Sequence, residues 1–373
     1  MISFWEKDSF IQYDLIIAGS GIVGLSTAIE FKEKNPSKSV LILEKGIFPT
    51  GASTKNAGFA CFGSLTEIID DLQHYSEDIV LSTVEKRYKG LEKLKNRLTN
   101  FPFDYHQYGG YELISNEQLH YLDQLQEVNK LLEPIFKAPV FLNVSDKIAA
   151  FKFSNAHVQQ LLFNQFEGQI HTGKMMKGLL SKARQLDIEI ITGVEVIDFY
   201  DEENRVIVQA HHELQKVDFY SEQLCICING FTNRLLPQLN VNPGRGQVLI
   251  TSPIQNLPFK GTFHYDRGYY YFRNVGDRVL FGGGRHLDYE GETTTSLQTT
   301  PYIQQQLESL LKEVILPKND FTIDMRWSGI MGFGDQKAPI VKLLSDRIGI
   351  GVRMGGMGVA IGSEVGTQLA GIM

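Results

Sequence analysis

Residues Asp14 to Gly24 read Asp-Leu-Ile-Ile-Ala-Gly-Ser-Gly-Ile-Val-Gly, an apolar strand running into a Gly-x-Gly-x-x-Gly turn. A second apolar strand, Ser39 to Leu43, ends on Glu44, twenty residues past Gly24. The three glycines do different things. Gly19 permits the tight bend, Gly21 lets the backbone approach a pyrophosphate, and Gly24 lets the following helix pack closely on the strand. Ile22 and Val23 open that helix, whose N-terminal N–H groups and positive dipole end suit anionic phosphates. Glu44 is placed to accept hydrogen bonds from ribose hydroxyls. A glycine-rich turn without ligand also occurs in α/β domains, but it does not require an acid at the end of the next strand. The combination predicts a dinucleotide site.

The chain is 373 residues long, enough for two domains. Its net charge of −7 leaves no basic face to neutralise phosphate backbones, so no nucleic-acid partner is expected. Met1 to Tyr13 lacks a basic-then-apolar export signal, and no run approaches the ~18 apolar residues of a membrane-spanning helix. Of the three cysteines, Cys225 and Cys227 are two apart in an apolar strand, a spacing at which a disulfide is strained. A reduced, cytoplasmic protein is the expectation. The nine histidines include no pair at metal-ligand spacing, and no metal is expected.

Along the chain, the first helix runs from about Ile22 to Lys34 and stops at Asn35-Pro36. A stretch of small and turn residues, Gly46 to Gly58, follows Glu44, and small side chains of this kind let a large planar group come near the backbone. Helical stretches are expected over 65–100 and 116–131. Strand-helix-strand order returns with a helix over Met175 to Leu186, a strand over Glu189 to Thr192 continued by Val194 to Tyr200, and a buried strand, Glu222 to Ile228, closing on Asn229-Gly230. Alternating patterns at Gln247 to Thr251, Tyr269 to Phe272 and Arg278 to Phe281 read as antiparallel sheet. A last strand, Arg347 to Val352, leads into a second glycine turn and a final helix. The fold class is therefore α/β: a discontinuous Rossmann-like nucleotide domain, with a mainly antiparallel-sheet domain threaded through it. An ordinary NAD dehydrogenase keeps its dinucleotide halves contiguous.

The segment Gly351-Val-Arg-Met-Gly-Gly-Met-Gly-Val359 repeats the logic of the first motif, a strand feeding glycines that open a helix. One dinucleotide needs only one pyrophosphate cradle. A second positive helix end suits the far end of a long cofactor where negative charge develops, as on a flavin. Close packing of a glycine-rich helix on its neighbour is the competing explanation.

Taken with Gly51-Ala-Ser-Thr-Lys-Asn-Ala-Gly58, Ile228-Asn-Gly230, Arg245-Gly-Gln247, Tyr271-Phe-Arg273 and Arg326-Trp-Ser-Gly329, these motifs resemble the glycine oxidase / D-amino acid oxidase / sarcosine oxidase family over nearly the whole chain. The resemblance implies FAD, and oxidation of a carbon–nitrogen bond next to a carboxylate. Gly19, Gly21, Ile22, Val23 and Gly24 would hold the pyrophosphate, Glu44 and Lys45 the adenosine side, and the backbone at Val196 the adenine. Ala52, Ser53, Asn56, Ala57 and Gly58 would line the flavin, with Asn229 and Gly230 beside it, and Gly356, Met357, Gly358 and Val359 would meet its pyrimidine edge. The implied FAD-binding domain covers 1–80, 146–230 and 325–373, and the substrate domain 81–145 and 231–324.

A flavin carries out hydride transfer itself, so what the protein must do is position a substrate carbon over N5. An arginine offers a carboxylate bidentate geometry that lysine cannot. The resemblance points to Arg326 as this anchor with Tyr271 beside it, and Arg353 is a rival. Read blandly, Arg326 is a structural ion-pair residue, and Tyr269 and Tyr271 are core aromatics. The sarcosine-oxidase branch tethers its flavin to a cysteine near the Arg326 strand; this chain has Ser328 there, so non-covalent FAD is expected. That branch also uses lysines for oxygen activation at positions that here resemble Leu280 and Ala360. The expected function is oxidation of a small amine or amino acid to an imine by hydride transfer to flavin N5. Oxygen, an acceptor protein or a quinone would reoxidise the FAD. The alternatives are an FAD-dependent 2-hydroxy-acid dehydrogenase and a non-catalytic dinucleotide-binding protein.

Overall fold

The computed structural model describes residues 2–213 and 215–373. Two eight-stranded sheets dominate it. The first has the order Ile340–Ser345, Ile348–Val352, Gln215–Ile226, Gln12–Ala18, Val40–Glu44, Glu189–Thr192. Its four central pairings are parallel, and Ile340–Ser345 closes one edge antiparallel. Parallel strands are covered on both faces, which explains the unbroken apolar runs. Leu15 and Ile17 join the core beneath helices Ile22–Lys34, Thr172–Gln185 and Gly358–Ile372, while Ile16 joins the core on the opposite face. That opposite face is covered by an antiparallel ribbon, Glu195–Asp201 with Val206–His212.

The ribbon corrects one sequence expectation. Val194 to Tyr200 does not continue strand Glu189–Thr192, because Gly193 turns the chain with φ +76°. Val196 instead pairs with Ala210 in the ribbon. The helical stretch expected over 65–100 is two helices, Leu65–His74 and Glu77–Arg97, since Tyr75 and Ser76 are extended and Ser76-Glu77-Asp78 restarts the helix.

The second sheet has the order Ile323–Phe333, Asn242–Thr251, Arg278–Gly283, Tyr270–Val275, Thr262–Tyr265, Gly110–Ile114, Gln160–Asn164, Phe141–Asn143. Every pairing is antiparallel except Thr262–Tyr265 with Gly110–Ile114. Gln160–Asn164 and Ile323–Phe333 thus lie in this sheet, whereas the sequence boundaries assigned 146–230 and 325–373 to the other domain. One face buries Leu249, Phe263, Phe272 and Phe281 under helix Pro301–Leu310. The other face meets the 52–63 segment, through Ala57, Phe59, Val248, Leu280, Tyr271 and Trp327. Among the described residues no helix is long and apolar enough to cross a membrane.

Candidate active site

The site is built around two helix N-termini held side by side. Gly366 and Gly362 of helix Gly358–Ile372 press on helix Ile22–Lys34, where an added Cβ would lie 2.5 Å from Ser26 Cβ and 2.8 Å from Ile22 Cγ2. Glycines at a four-residue interval let the helix axes approach and bring both positive dipole ends to one edge of the parallel sheet. The close packing of a glycine-rich helix on its neighbour is therefore present, and it sets the two helix N-termini side by side.

At the first end, Gly19 has φ +98°, and Gly24 packs so tightly on the turn that a Cβ would sit 2.0 Å from Gly19 O. Gly21 is the N-cap and carries no capping side chain; Ser53 Oγ accepts from Ile22 N–H at 3.0 Å in its place. That bond joins helix Ile22–Lys34 to the 52–58 segment. Glu44 is buried, accepting from Ser20 N–H and Oγ–H at 3.0 and 2.7 Å and from Gly46 N–H at 2.9 Å. Oε2 takes both Ser20 donors, so it is Oε1, with Gly46 alone, that keeps lone-pair capacity for a further donor. Lys45 points elsewhere, into an ion pair with Glu195 at 2.8 Å.

At the second end, Gly355 and Gly356 have φ +55° and +84°, and Met357 caps helix Gly358–Ile372 just before Val359. Asn229, itself left-handed at φ +44°, accepts from the N–H groups of Arg353 and Met354 at 3.0 and 3.2 Å. Gly230 leaves room for Met331 O, 2.4 Å from where its Cβ would be. Arg353 is committed to the loop carbonyls of Ala338 and Asn240. Burial lowers its pKa.

Between the two ends lies the 52–58 segment. Asn56 donates to Ala52 O and Ser53 O and accepts from Gly58 N–H, folding the segment on itself. Trp327 Nε1 donates to Lys55 O at 2.9 Å, and Arg273 donates to Ala57 O and, at 3.0 Å, to Ile170 O. Burial without an anionic partner lowers the Arg273 pKa to about 10. These bonds fasten the segment to the second sheet.

Strand register decides which side chains face this segment. Trp327 pairs with Val248, Val248 with Gly282, Gly282 with Tyr271, and Tyr271 with His264, one row on one face. Gly329 opposite Gly246 and Met331 opposite Gly244 share that face. Arg326 pairs with Leu249 and so belongs to the other face. There it bonds Gln304 and Glu308 at 2.8 Å each, ending a network that runs through Gln247 to the buried Arg245–Glu292 pair. The structure thus separates Arg326 from Tyr271 and from the glycine cradles, by the period-two alternation of its own strand. Tyr269 precedes the strand and stacks on His286.

Two inner-face residues escaped the sequence reading. Met331 lies against Gly246 and the second cradle, with Cε 2.8 Å from where a Gly246 Cβ would be and Sδ 3.6 Å from where a Gly356 Cβ would be. Arg285 sits beside Gly244 on the same face, its guanidinium 4.3 Å from the Phe333 ring centroid and 4.9 Å from that of Tyr289. Its Nε is buried without a hydrogen-bond partner, and burial lowers its pKa. The sequence signal was the run Gly282-Gly-Gly284, where φ of +128° and +77° at the last two glycines turns the chain and aims the next side chain. Burial also pushes the Tyr271 phenol up to about 12.

The chain matches the family described as DAO, FAD dependent oxidoreductase, over residues 14–372. No curated protein matches. Among solved structures it is similar to glycine oxidase from Geobacillus kaustophilus, with 17% identity and a TM-score of 0.77 over 97% of this chain and 94% of that one. L-proline dehydrogenase from P. horikoshii gives 17% identity and a TM-score of 0.76 over 96% and 92%. L-amino acid deaminase from Proteus vulgaris gives 15% and 0.73 over 96% and 94%. At these identities the structures establish the fold alone, and the family match over almost the whole chain carries the assignment. The chain belongs to the DAO family of FAD-dependent oxidoreductases.

Proposed function

We infer that this protein oxidises the carbon–nitrogen bond of a small amino acid, with FAD bound non-covalently across the two glycine-opened helix ends. The observation that carries the reading is Arg285, a guanidinium with no carboxylate partner among the described residues, on the same sheet face as Tyr271. The backbone of Gly19 to Gly24 would hold the pyrophosphate, Glu44 the ribose, residues 52–58 one side of the ring system, and Gly356 to Val359 its pyrimidine edge. When bound, FAD accepts the hydride from the substrate carbon.

The chain's own residues do the positioning. Arg285 offers a substrate carboxylate two parallel N–H donors, and its aromatic neighbours hold the guanidinium plane in place. Tyr271 stays protonated through the working pH range, so it donates to the same carboxylate and cannot act as base. Val248, Leu280, Gly282, Trp327 and Met331 carry no titratable group, and His264, in the same row beyond Tyr271, is gathered with Cys61 and Glu167. The amine therefore has to react in its neutral form, and water hydrolyses the released imine. Uncharged Leu280 and Ala360, where the resemblance expects oxygen-activating lysines, favour an acceptor other than oxygen.

The test is an anaerobic screen of FAD-loaded protein against amino acids, the matching amines without a carboxylate, and 2-hydroxy acids, following loss of the visible flavin absorbance. Bleaching by amino acids and not by their decarboxylated amines supports this reading. Bleaching by hydroxy acids alone overturns it.

A further inference from the structure

Cys61, Glu167 and His264 lie far apart in sequence, yet the fold gathers their ligating atoms to within 4.8 Å of one another, all three residues buried. Cys61 follows strand Phe59–Ala60, and Glu167 precedes its partner strand Gly168–Gln169. His264 stands on the sheet between Tyr271 and Glu112. Sequence spacing is blind to such a cluster.

His264 is 6% exposed, and its Nε2 has no hydrogen-bond partner although Glu167 Oε2 is 3.4 Å away. Its Nδ1 lies 3.8 Å from Glu67 Oε2, on the opposite side of the ring. A cavity of about 10 Å³ touches His264, Glu167, Glu112 and Asn164, whose Nδ2 is also unpartnered. It has room for roughly one water. The Glu112 carboxylate is satisfied by Ser64 and Thr66, but Glu167 accepts only from Phe62 N–H, at 3.3 Å. Among the described residues no Lys or Arg pairs with Glu167; its one ion-pair neighbour is His264. Glu167 is thus a buried carboxylate whose one countercharge among the described residues is a titratable imidazole, a setting that a bound cation would relieve.

We propose that Cys61 Sγ, Glu167 and His264 Nε2 bind a thiophilic divalent cation, with Zn²⁺ the best chemical match and a water in the adjoining cavity as fourth ligand. A thiolate ligand excludes Mg²⁺ and Ca²⁺, and mixed sulfur, nitrogen and oxygen donors suit tetrahedral zinc. Bonds of ~2.0–2.3 Å place tetrahedral ligand atoms about 3.5 Å apart, so the cluster closes by side-chain shifts of about 1 Å. The thiolate and the carboxylate neutralise the cation, and binding releases the Cys61 proton. Glu67 would orient the imidazole through Nδ1–H. Phe59 packs edge-on against both His264 and Tyr271, at 5.5 and 5.7 Å between ring centroids. The cation would therefore staple the Phe59–Phe62 segment beside the substrate tyrosine.

The experiment is elemental analysis of the full-length, FAD-loaded protein, purified without a metal-affinity tag and then dialysed against Zn²⁺ and a weak chelator. The expected result is close to one zinc per chain, falling at least ~10-fold in Cys61→Ser and His264→Ala while flavin absorbance persists. Cobalt loading of the wild type, which needs no variant to fold, should give a thiolate-to-cobalt charge-transfer band that Cys61→Ser lacks. Wild-type protein that retains less than ~0.1 equivalent of zinc and shows no such cobalt band overturns the proposal.

Discussion

Gly24→Ala probes the junction on which the cofactor cradle depends. The added Cβ would sit 2.0 Å from Gly19 O, where ordinary contact begins at 3.4 Å, so helix and turn must part by about 1.4 Å. Gly19 cannot readily swing aside: its N–H is bonded to Leu43 O at 2.8 Å, and its φ is +98°. Overpacking of this kind costs about 1–3 kcal/mol, against at most about 1 kcal/mol recovered from alanine's better helix propensity. The expected net loss of apoprotein stability is about 1–2 kcal/mol. The effect on FAD is larger, because the helix N–H groups retreat from the phosphates; losing one charge-assisted hydrogen bond of about 1.5–3 kcal/mol weakens Kd about 10- to 100-fold. Titrating FAD into apoprotein by flavin fluorescence gives the affinity, and thermal unfolding gives the stability. Gly51→Ala is the control, since nothing lies within 4 Å of its Cβ position. Wild-type FAD affinity in Gly24→Ala would refute the reasoning.

Other outcomes follow from the same geometry. Arg285→Met should raise KM for an amino-acid substrate roughly 100-fold, the worth of a bidentate charged contact, whereas Arg326→Met should change it less than about threefold because Arg326 serves an exposed pair with Glu308; steady-state kinetics separates the two. Tyr271→Phe should lower kcat/KM about 10-fold, and the wild-type profile should show no inflection from this phenol below about pH 12, leaving only the rise as the substrate amine loses its proton. Burial opposes charge on Asp14, but hydrogen bonds from Lys38 and Ser39 outweigh it and hold its carboxyl below the usual range. A depressed pKa stabilises the fold above about pH 4 and loses that contribution as pH falls through the folded value, so Asp14→Asn should flatten the acid limb of a stability–pH curve measured by urea unfolding.

The first cradle was legible in the sequence because each of its requirements is local. A strand, three glycines, a helix and an acid lie within a short stretch, and the structure assembles them with neighbours close in sequence. The discontinuous layout was legible too, since parallel strands buried on both faces leave apolar runs near both ends of the chain. Facing was harder to read. Arg326 and Trp327 are adjacent, yet only register shows that Trp327 turns to Ala57 and Arg326 to Glu308. Arg285 was missed because its loop belongs to no periodic element, and the Cys61–Glu167–His264 cluster because only tertiary contact joins it. Gly193 misled the strand reading: its neighbours keep strand chemistry while its φ breaks the strand.

The most direct test of the central claim is a single anaerobic turnover of FAD-loaded protein with its best amino-acid substrate, quantifying flavin bleached and keto product formed. The expected result is one equivalent of oxo acid and one of ammonia or amine per FAD reduced, with FAD released intact when the protein is denatured. Protein that binds no FAD, or whose FAD no amino acid or amine reduces, would contradict it.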